Sequence, residues 1–211
     1  MKYLLPLILF SFLVSCSQAN LSDAELRMRI VEIHSTGRGG VHGRWVILSP
    51  GVILTSRHVV EDCRDPSYSW TWETPSRGCS VSIEWWQQSI STLVFPDTRR
   101  DIATLSYIRE GNLKKSWYDA LPLVSSWSLI IGQEIYTLTT TGRIMGKILA
   151  LAPSYIGYDV SLSWRLLSWS IMSDIVLGPG ESGTPVWTWS GMLIGVMSAV
   201  DPIGKRSYIV Q

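Results

Sequence analysis

Short runs of apolar and β-branched residues, separated by Gly, Pro, Asp and Ser, dominate the chain after about residue 29. Several of these runs alternate apolar and polar residues with a period of two, which is typical of half-buried strands. The pattern predicts strands at 30–33, 43–48, 51–54, 81–85, 91–95, 102–108, 134–138, 143–151, 156–162, 186–189, 192–199 and 206–210. Many short strands punctuated by turn residues indicate an all-β sandwich or barrel.

One short helix is predicted ahead of the strands, over residues 20–28. Ser22 can cap its N-terminus, and Glu25 three residues later completes the pattern of a capping box. Residues 111–128 follow neither period clearly, and we interpret them as a connection between two halves of the chain.

The first residues have the pattern of an export signal. Lys2 precedes an apolar run over residues 3–14, which is too short to span a bilayer as a helix. The junction Leu-Val-Ser-Cys16 resembles a bacterial lipoprotein box, in which Cys16 becomes the lipidated first residue. The alternative is ordinary cleavage after Ala19, within a signal peptide of residues 1–19. Both predict export, either as a lipoprotein of the cell envelope, in the outer membrane or periplasm, or as a secreted protein.

Composition excludes some function classes. Lys and Arg total 18 against 17 Asp and Glu, and no basic run occurs, so no nucleic-acid partner is expected. After the signal, Cys63 and Cys79 remain; export favours a disulfide between them, with two free buried thiols as the alternative. No metal site and no organic cofactor are implied. The 11 tryptophans either pack in the core, which we favour, or grip a ligand.

The stretch GPGESGTP at 178–185 places Ser182 among glycines and prolines, which indicates a backbone held in an unusual shape. A serine becomes a strong nucleophile when a base, usually histidine, takes its proton. That imidazole in turn needs a carboxylate to orient it. His58 ends an apolar run in LTSRHVV, and Asp101 begins one in DIATL. The order His, Asp, Ser is one of the known orders of this triad.

These three motifs resemble the histidine, aspartate and serine motifs of the chymotrypsin-like serine peptidases, in particular the bacterial glutamyl-endopeptidase and Deg-type branches. The resemblance covers about residues 29–211 of a domain at 20–211. It implies an all-β fold of two packed six-stranded antiparallel barrels, with the active site between them. The N-terminal barrel would occupy about 29–112, the connection about 113–128 and the C-terminal barrel about 129–211.

Carried over residue by residue, the resemblance makes His58 the general base and then the general acid. Asp101 orients it, and Ser182 attacks the substrate carbonyl to form an acyl-enzyme. The amides of Gly180 and Ser182 would form the oxyanion hole. By register, the substrate-binding residues are Val176 at the base of the specificity pocket, Ser198 on the groove-lining strand and Val200 on a wall. The apolar pocket implies a small or medium apolar side chain before the cut bond.

Glu181 departs from the family pattern, which commonly has Asp or Asn before the serine. In the trypsin branch that Asp pairs with a freshly cut N-terminus, and Arg29-Ile30-Val31 superficially resembles such a cut site. The leading prediction is therefore a monomeric, exported serine endopeptidase acting on polypeptides. The alternative is a catalytically weak or inactive binding protein of the same fold at the cell envelope, with Glu181 as the feature that motivates it.

Overall fold

The computed structural model describes residues 21–35, 42–61, 81–82, 92–97, 100–107, 119–151, 155–158, 164–167, 170–201 and 203–211. Cys16, Cys63 and Cys79 lie outside the described residues. The signal peptide, the lipidation and the disulfide therefore stay predictions, as does the division of the chain into domains. In the described part of the chain, no helix has the length and apolar character needed to cross a membrane.

The N-terminal half is one antiparallel sheet of six strands in the order β4-β1-β2-β3-β6-β5. Its strands are β1 (Ile30–Ser35), β2 (His42–Ser49), β3 (Val52–Thr55), β4 (Val81–Ser82), β5 (Thr92–Asp97) and β6 (Ile102–Tyr107). The predicted hairpin joins β2 to β3, and Gly51 in its turn has a φ of 80°, a conformation that favours glycine. A short helix, α2 (Arg57–Glu61), follows β3 directly.

The C-terminal half contains a closed six-stranded antiparallel barrel in the order β11-β14-β13-β12-β7-β8. A separate pair, β9 with β10, lies between β8 and β11 in the chain. The strands are β7 (Glu134–Thr139), β8 (Gly142–Leu151), β9 (Tyr155–Tyr158), β10 (Trp164–Leu167), β11 (Ser170–Ser173), β12 (Pro185–Thr188), β13 (Leu193–Asp201) and β14 (Arg206–Val210). The all-β prediction is confirmed, with six strands in the N-terminal sheet and six in the C-terminal barrel. Of the two predicted barrels, the C-terminal one is closed, whereas the N-terminal sheet is open among the described residues, with β4 and β5 at its edges.

The first helix, α1 (Asp23–Arg27), forms where the capping box predicts it. The Glu25 amide donates to the Ser22 hydroxyl at 3.3 Å, and the Glu25 carboxylate accepts from the Ser22 amide at 2.7 Å. These bonds satisfy backbone donors that a helix N-terminus leaves unpaired. Leu26 is fully buried against the barrel, and its burial contributes roughly 1.5–3 kcal/mol to folding.

Two apolar clusters form the core. One fills the C-terminal barrel, and the other contains residues from both halves. In the second cluster, Val46 of β2 and Leu54 of β3 pack with Trp187, Leu193 and Val196 of the barrel. This shared cluster packs β2 and β3 of the N-terminal sheet against β12 and β13 of the barrel.

Of the tryptophans whose burial the structure describes, two lie in the core and two are exposed, and a ligand-binding role for the exposed pair stays a prediction. Trp45 and Trp187 are fully buried, whereas Trp127 and Trp189 are 91% and 66% exposed. The Arg143 guanidinium lies 5.2 Å from the centre of the exposed Trp189 ring and forms an ion pair with Asp23 of α1.

Candidate active site

His58 and Asp101 meet because β3 and β6 are hydrogen-bonded neighbours. Thr55 at the end of β3 pairs with Ala103 near the start of β6, so the residues just beyond these ends share one edge of the sheet. The Arg57 amide donates to the Asp101 carbonyl at 3.2 Å, which closes the first turn of α2 onto the start of β6. The sequence order alone places both side chains at strand ends, and the pairing register brings them into contact.

The Asp101 carboxylate holds His58 at two points. Its Oδ1 accepts from the His58 backbone amide at 3.0 Å, and its Oδ2 lies 2.6 Å from the imidazole Nδ1. Asp101 is 3% exposed, whereas the side chain of His58 is 26% exposed. In the neutral imidazole the Nδ1–H donates to this carboxylate, so Nε2 is the ring nitrogen that bears the lone pair and can act as a base.

Ser198 contacts the same carboxylate from the other half of the molecule. Its hydroxyl donates to Asp101 Oδ2, and the side chain is buried. The pairing of β13 with β14 shifts register between Met197 and Ala199, at the position of Ser198, and such an irregularity redirects a side chain. The predicted groove residue thus directs its hydroxyl toward Asp101.

Ser182 lies in a loop tied to both halves. We call residues 179–184, which contain the predicted oxyanion donors Gly180 and Ser182, the oxyanion loop. The Ser182 carbonyl accepts from the Arg44 amide of β2 at 2.7 Å, and the Gly183 amide donates to the Met197 carbonyl of β13 at 2.7 Å. Gly180 and Gly183 have φ values of 86° and 85°, a region that favours glycine. Within the described residues no acceptor is found for the amides of Gly180 and Ser182, whereas the Thr184 amide donates to the Glu181 carbonyl.

Gly43 brings the oxyanion loop close to α2. A Cβ at this position would lie 2.5 Å from a methyl carbon of Val59, the neighbour of His58, and 3.0 Å from the Ser182 carbonyl oxygen. The missing side chain therefore lets the backbone of Ser182 and the helix that bears His58 both lie close to Gly43. The sequence analysis did not assign Gly43 a role, because a glycine at the start of a strand has no distinctive local signal.

Val176 and Val200, the predicted pocket residues, lie on either side of the oxyanion loop in the chain. Val176 is 39% exposed and Val200 is partly buried. On β13, pairing with β12 ends at Val196, whereas pairing with β14 continues to Asp201. In the described part of the structure, the β13 edge over 199–201 has β14 on one side and no strand on the other.

Glu181, the departure from the family pattern, has a partner. Its carboxylate lies 3.0 Å from the guanidinium of Arg44 and accepts from the Thr184 hydroxyl at 3.1 Å. A second carboxylate, Glu32 of β1, lies 3.5 Å from the same guanidinium. Arg44 was not predicted as a functional residue. The one feature of the sequence that could have identified it is a charged residue within an otherwise apolar strand. No group of three or more His, Cys, Asp or Glu side chains that could hold a metal occurs among the described residues.

A comparison with protein-family models finds no match. The chain is 25% identical over 169 residues to a protein of Halomonas elongata described as a probable periplasmic serine endoprotease, DegP-like. The match covers 79% of this chain and 31% of the relative, so the chain spans about a third of that protein's length.

Solved structures show the same architecture. The active form of the Rv3671c protease from M. tuberculosis has a TM-score of 0.62 at 16% identity, over 89% of this chain and 78% of that one. Deg5 has a TM-score of 0.60 at 19% identity, over 90% of both chains. The HtrA-type protease AlgW, solved with a tripeptide, has a TM-score of 0.58 at 21% identity, over 86% of this chain and 56% of that one. The resemblance predicted from the motifs is confirmed: the chain has the chymotrypsin-like fold of the HtrA/Deg-type serine proteases.

Proposed function

We propose that this chain is an exported serine endopeptidase that hydrolyses polypeptides through Ser182, His58 and Asp101. The observation that carries the proposal is the 2.6 Å contact between His58 Nδ1 and the buried Asp101 carboxylate. A carboxylate in this position holds the imidazole in the tautomer whose Nε2 can accept a proton, and it stabilises the imidazolium that forms.

In the reaction, His58 Nε2 takes the hydroxyl proton of Ser182 as the serine oxygen attacks the carbonyl carbon of the peptide bond. The carbonyl oxygen becomes an oxyanion, for which the amides of Gly180 and Ser182 are the donors. His58 then gives its proton to the amine nitrogen as the C–N bond breaks. The amine departs, and the acyl group remains bound to Ser182 as the acyl-enzyme. Water attacks the acyl carbonyl, His58 again takes a proton and returns it to Ser182, and the acid product departs. None of these steps calls for a metal or an organic cofactor.

The substrate is an extended polypeptide bound along β13. An edge with β14 on one side can receive the backbone of an extended peptide on the other, as in strand addition to a sheet. Val176 and Val200 are apolar, so we propose a preference for a small or medium apolar side chain before the cut bond. A buried Lys or Arg at this point would lack a partner charge.

The export signal and the similarity to a protein described as periplasmic support action at the cell envelope or outside the cell. Membrane association through a lipidated Cys16 and a monomeric state belong to the same proposal. The alternative, a binding protein without catalysis, was motivated by Glu181. The ion pair of Glu181 with Arg44 gives that side chain a structural partner and is compatible with an active site.

Degradation of a denatured protein tests this proposal. Fluorescein-labelled casein would be incubated with the purified wild-type protein, with Ser182→Ala and with His58→Ala, and the new termini would be identified by mass spectrometry. We expect cleavage by the wild type alone, mostly after Ala, Val or residues of similar size. Equal cleavage by Ser182→Ala would refute the proposed nucleophile, and cleavage mainly after Lys or Arg would refute the proposed pocket.

A further inference from the structure

We propose that Arg44 is a positioning residue for the oxyanion loop. Its ion pair with Glu181 would hold the loop in a reactive shape without cleavage of the chain to create a new N-terminus. This inference rests on the proposed function, because a positioned oxyanion loop matters only if Ser182 attacks a carbonyl. In this proposal Glu181, which departs from the family pattern, is the residue through which Arg44 holds the oxyanion loop.

Arg44 contacts two consecutive residues of the oxyanion loop. Its backbone amide donates to the Ser182 carbonyl at 2.7 Å, and its guanidinium lies 3.0 Å from the Glu181 carboxylate. The Arg44 carbonyl is itself fixed, because the Thr55 hydroxyl donates to it at 2.8 Å. A single residue of β2 therefore contacts the chain on both sides of the Ser182 nitrogen, through the Glu181 side chain before it and the Ser182 carbonyl after it. That nitrogen is one of the two proposed oxyanion donors.

Burial makes this pair different from a surface ion pair. The side chain of Arg44 is 8% exposed and that of Glu181 is 22% exposed. Surface pairs contribute little, whereas removing one partner of a buried pair leaves the other charge uncompensated in a poorly solvated site. Loss of the Arg44 charge would therefore favour a rearrangement that returns Glu181 to water. Such a rearrangement would also move the adjoining amides of Gly180 and Ser182.

Glu32 and Thr184 orient the pair. The register of β1 and β2 places Glu32 directly opposite Arg44, and its carboxylate lies 3.5 Å from the second guanidinium nitrogen. The arginine guanidinium presents its donors in a rigid planar fork that suits two carboxylates at once. The lysine ammonium is a compact charge without this fixed geometry. The Thr184 hydroxyl donates to Glu181 Oε2, the same carboxylate oxygen that lies 3.0 Å from the Arg44 guanidinium.

The backbone near the candidate cut site argues against activation by cleavage. Arg29 is 4% exposed, and its carbonyl accepts from the Ile47 amide at 2.9 Å. Ile30 is already paired with Val46 in the sheet. A terminus cut at this point would stay in β1, while Arg44 already supplies the positive charge that Glu181 needs.

The test measures how fast a fluorophosphonate probe modifies the purified, exported protein. The variants are Arg44→Gln, which removes the charge, and Arg44→Lys, which keeps it. Arg143→Gln is the matched control, since it makes the same change in an ion pair with Asp23 of α1. Urea unfolding of each variant establishes that it is folded, and hydrogen exchange reports on the amides of Gly183 and Thr184.

We expect Arg44→Gln to lower the maximal rate of modification on the order of a hundredfold, the effect of losing an oxyanion donor, with the half-saturating probe concentration little changed. Arg44→Lys should recover part of the rate, and Arg143→Gln should stay close to wild type. A folded Arg44→Gln protein that reacts as fast as wild type would overturn the inference. If Arg44→Gln does not fold, Glu181→Gln and Thr184→Val decide by the same criterion.

A wild-type protein that fails to react would refute the proposed function rather than the positioning role. In that case hydrogen exchange alone tests the positioning role of Arg44. Faster exchange of the Gly183 and Thr184 amides in Arg44→Gln than in wild type would support the positioning role. Unchanged exchange would overturn it.

Discussion

Replacing Gly183 by alanine should destabilise the protein strongly, because the new methyl group has no room. Its Cβ would lie 1.8 Å from the Arg44 carbonyl oxygen and 2.6 Å from the Thr55 hydroxyl. These groups cannot simply move away. The Thr55 hydroxyl donates to the Arg44 carbonyl at 2.8 Å, and the Arg44 amide donates to Ser182 at 2.7 Å. Relief of the overlap therefore breaks at least these two hydrogen bonds.

The loss of unfolding free energy expected for Gly183→Ala has two contributions. A side chain at a φ of 85° costs about 1–2 kcal/mol. Each of the two broken hydrogen bonds costs about 1 kcal/mol in net stability, and more if a buried partner stays unsatisfied. We therefore expect Gly183→Ala to lower the free energy of unfolding by about 3–4 kcal/mol. Loss of activity should accompany it, because the oxyanion loop is displaced.

Two other glycines separate these contributions. Gly132 has a φ of 87° and no atom within 4 Å of a built Cβ, so Gly132→Ala should show the conformational cost alone, about 1–2 kcal/mol. Gly178 has neither a positive φ nor a close neighbour, and Gly178→Ala should be neutral or stabilise by up to about 1 kcal/mol. Urea unfolding of the three variants gives the comparison. The packing argument would be refuted if Gly183→Ala cost no more than Gly132→Ala.

Three further predictions concern the triad, the pocket and the N-terminal helix. Asp101→Asn should lower kcat for casein-derived peptides by about 10⁴-fold, because the amide favours the wrong imidazole tautomer; a loss below tenfold would contradict the role of Asp101. Val176→Asp should shift cleavage toward bonds after Lys or Arg, as judged by mass spectrometry of the products, and an unchanged profile would remove Val176 from the pocket. Hydrogen bonds from the Ser22 hydroxyl and backbone amide lower the pKa of Glu25. The ionised carboxylate therefore stabilises the folded protein fully above its ordinary pKa, and this stabilisation is lost as the pH falls through the lowered pKa. The difference in urea midpoint between wild type and Glu25→Ala should accordingly be present at pH 7 and shrink on acidification; a constant difference would contradict the capping role.

Local patterns were sufficient where a single segment determines its own structure. Ser22 and Glu25 predict α1 because the capping box is complete within four residues. Period-two alternation predicts most strands, and the turn between β2 and β3, because these features need only neighbouring residues. The triad positions were inferred from three motifs in order, and the structure brings His58 and Asp101 together as that inference requires.

Other features depend on contacts between distant segments and left no local signal. The five-residue helix α2 contains the β-branched pair Val59-Val60, which favours a strand when read alone. β11 (Ser170–Ser173) was not predicted, since two of its four residues are serines and the hydrogen bond between Ser173 and Ser207 comes from β14. The partner of Glu181 could not be inferred, because Arg44 reaches it from the other half of the molecule.

The proposed function requires Ser182 to be a nucleophile that His58 activates in the uncut chain. The most direct measurement is the intact mass of the purified protein after treatment with a fluorophosphonate, with Ser182→Ala as the control. We predict one phosphonyl adduct per chain, located on the peptide that contains Ser182 and absent from the variant. A folded wild-type protein with no adduct, or with an adduct that persists in Ser182→Ala, would contradict it.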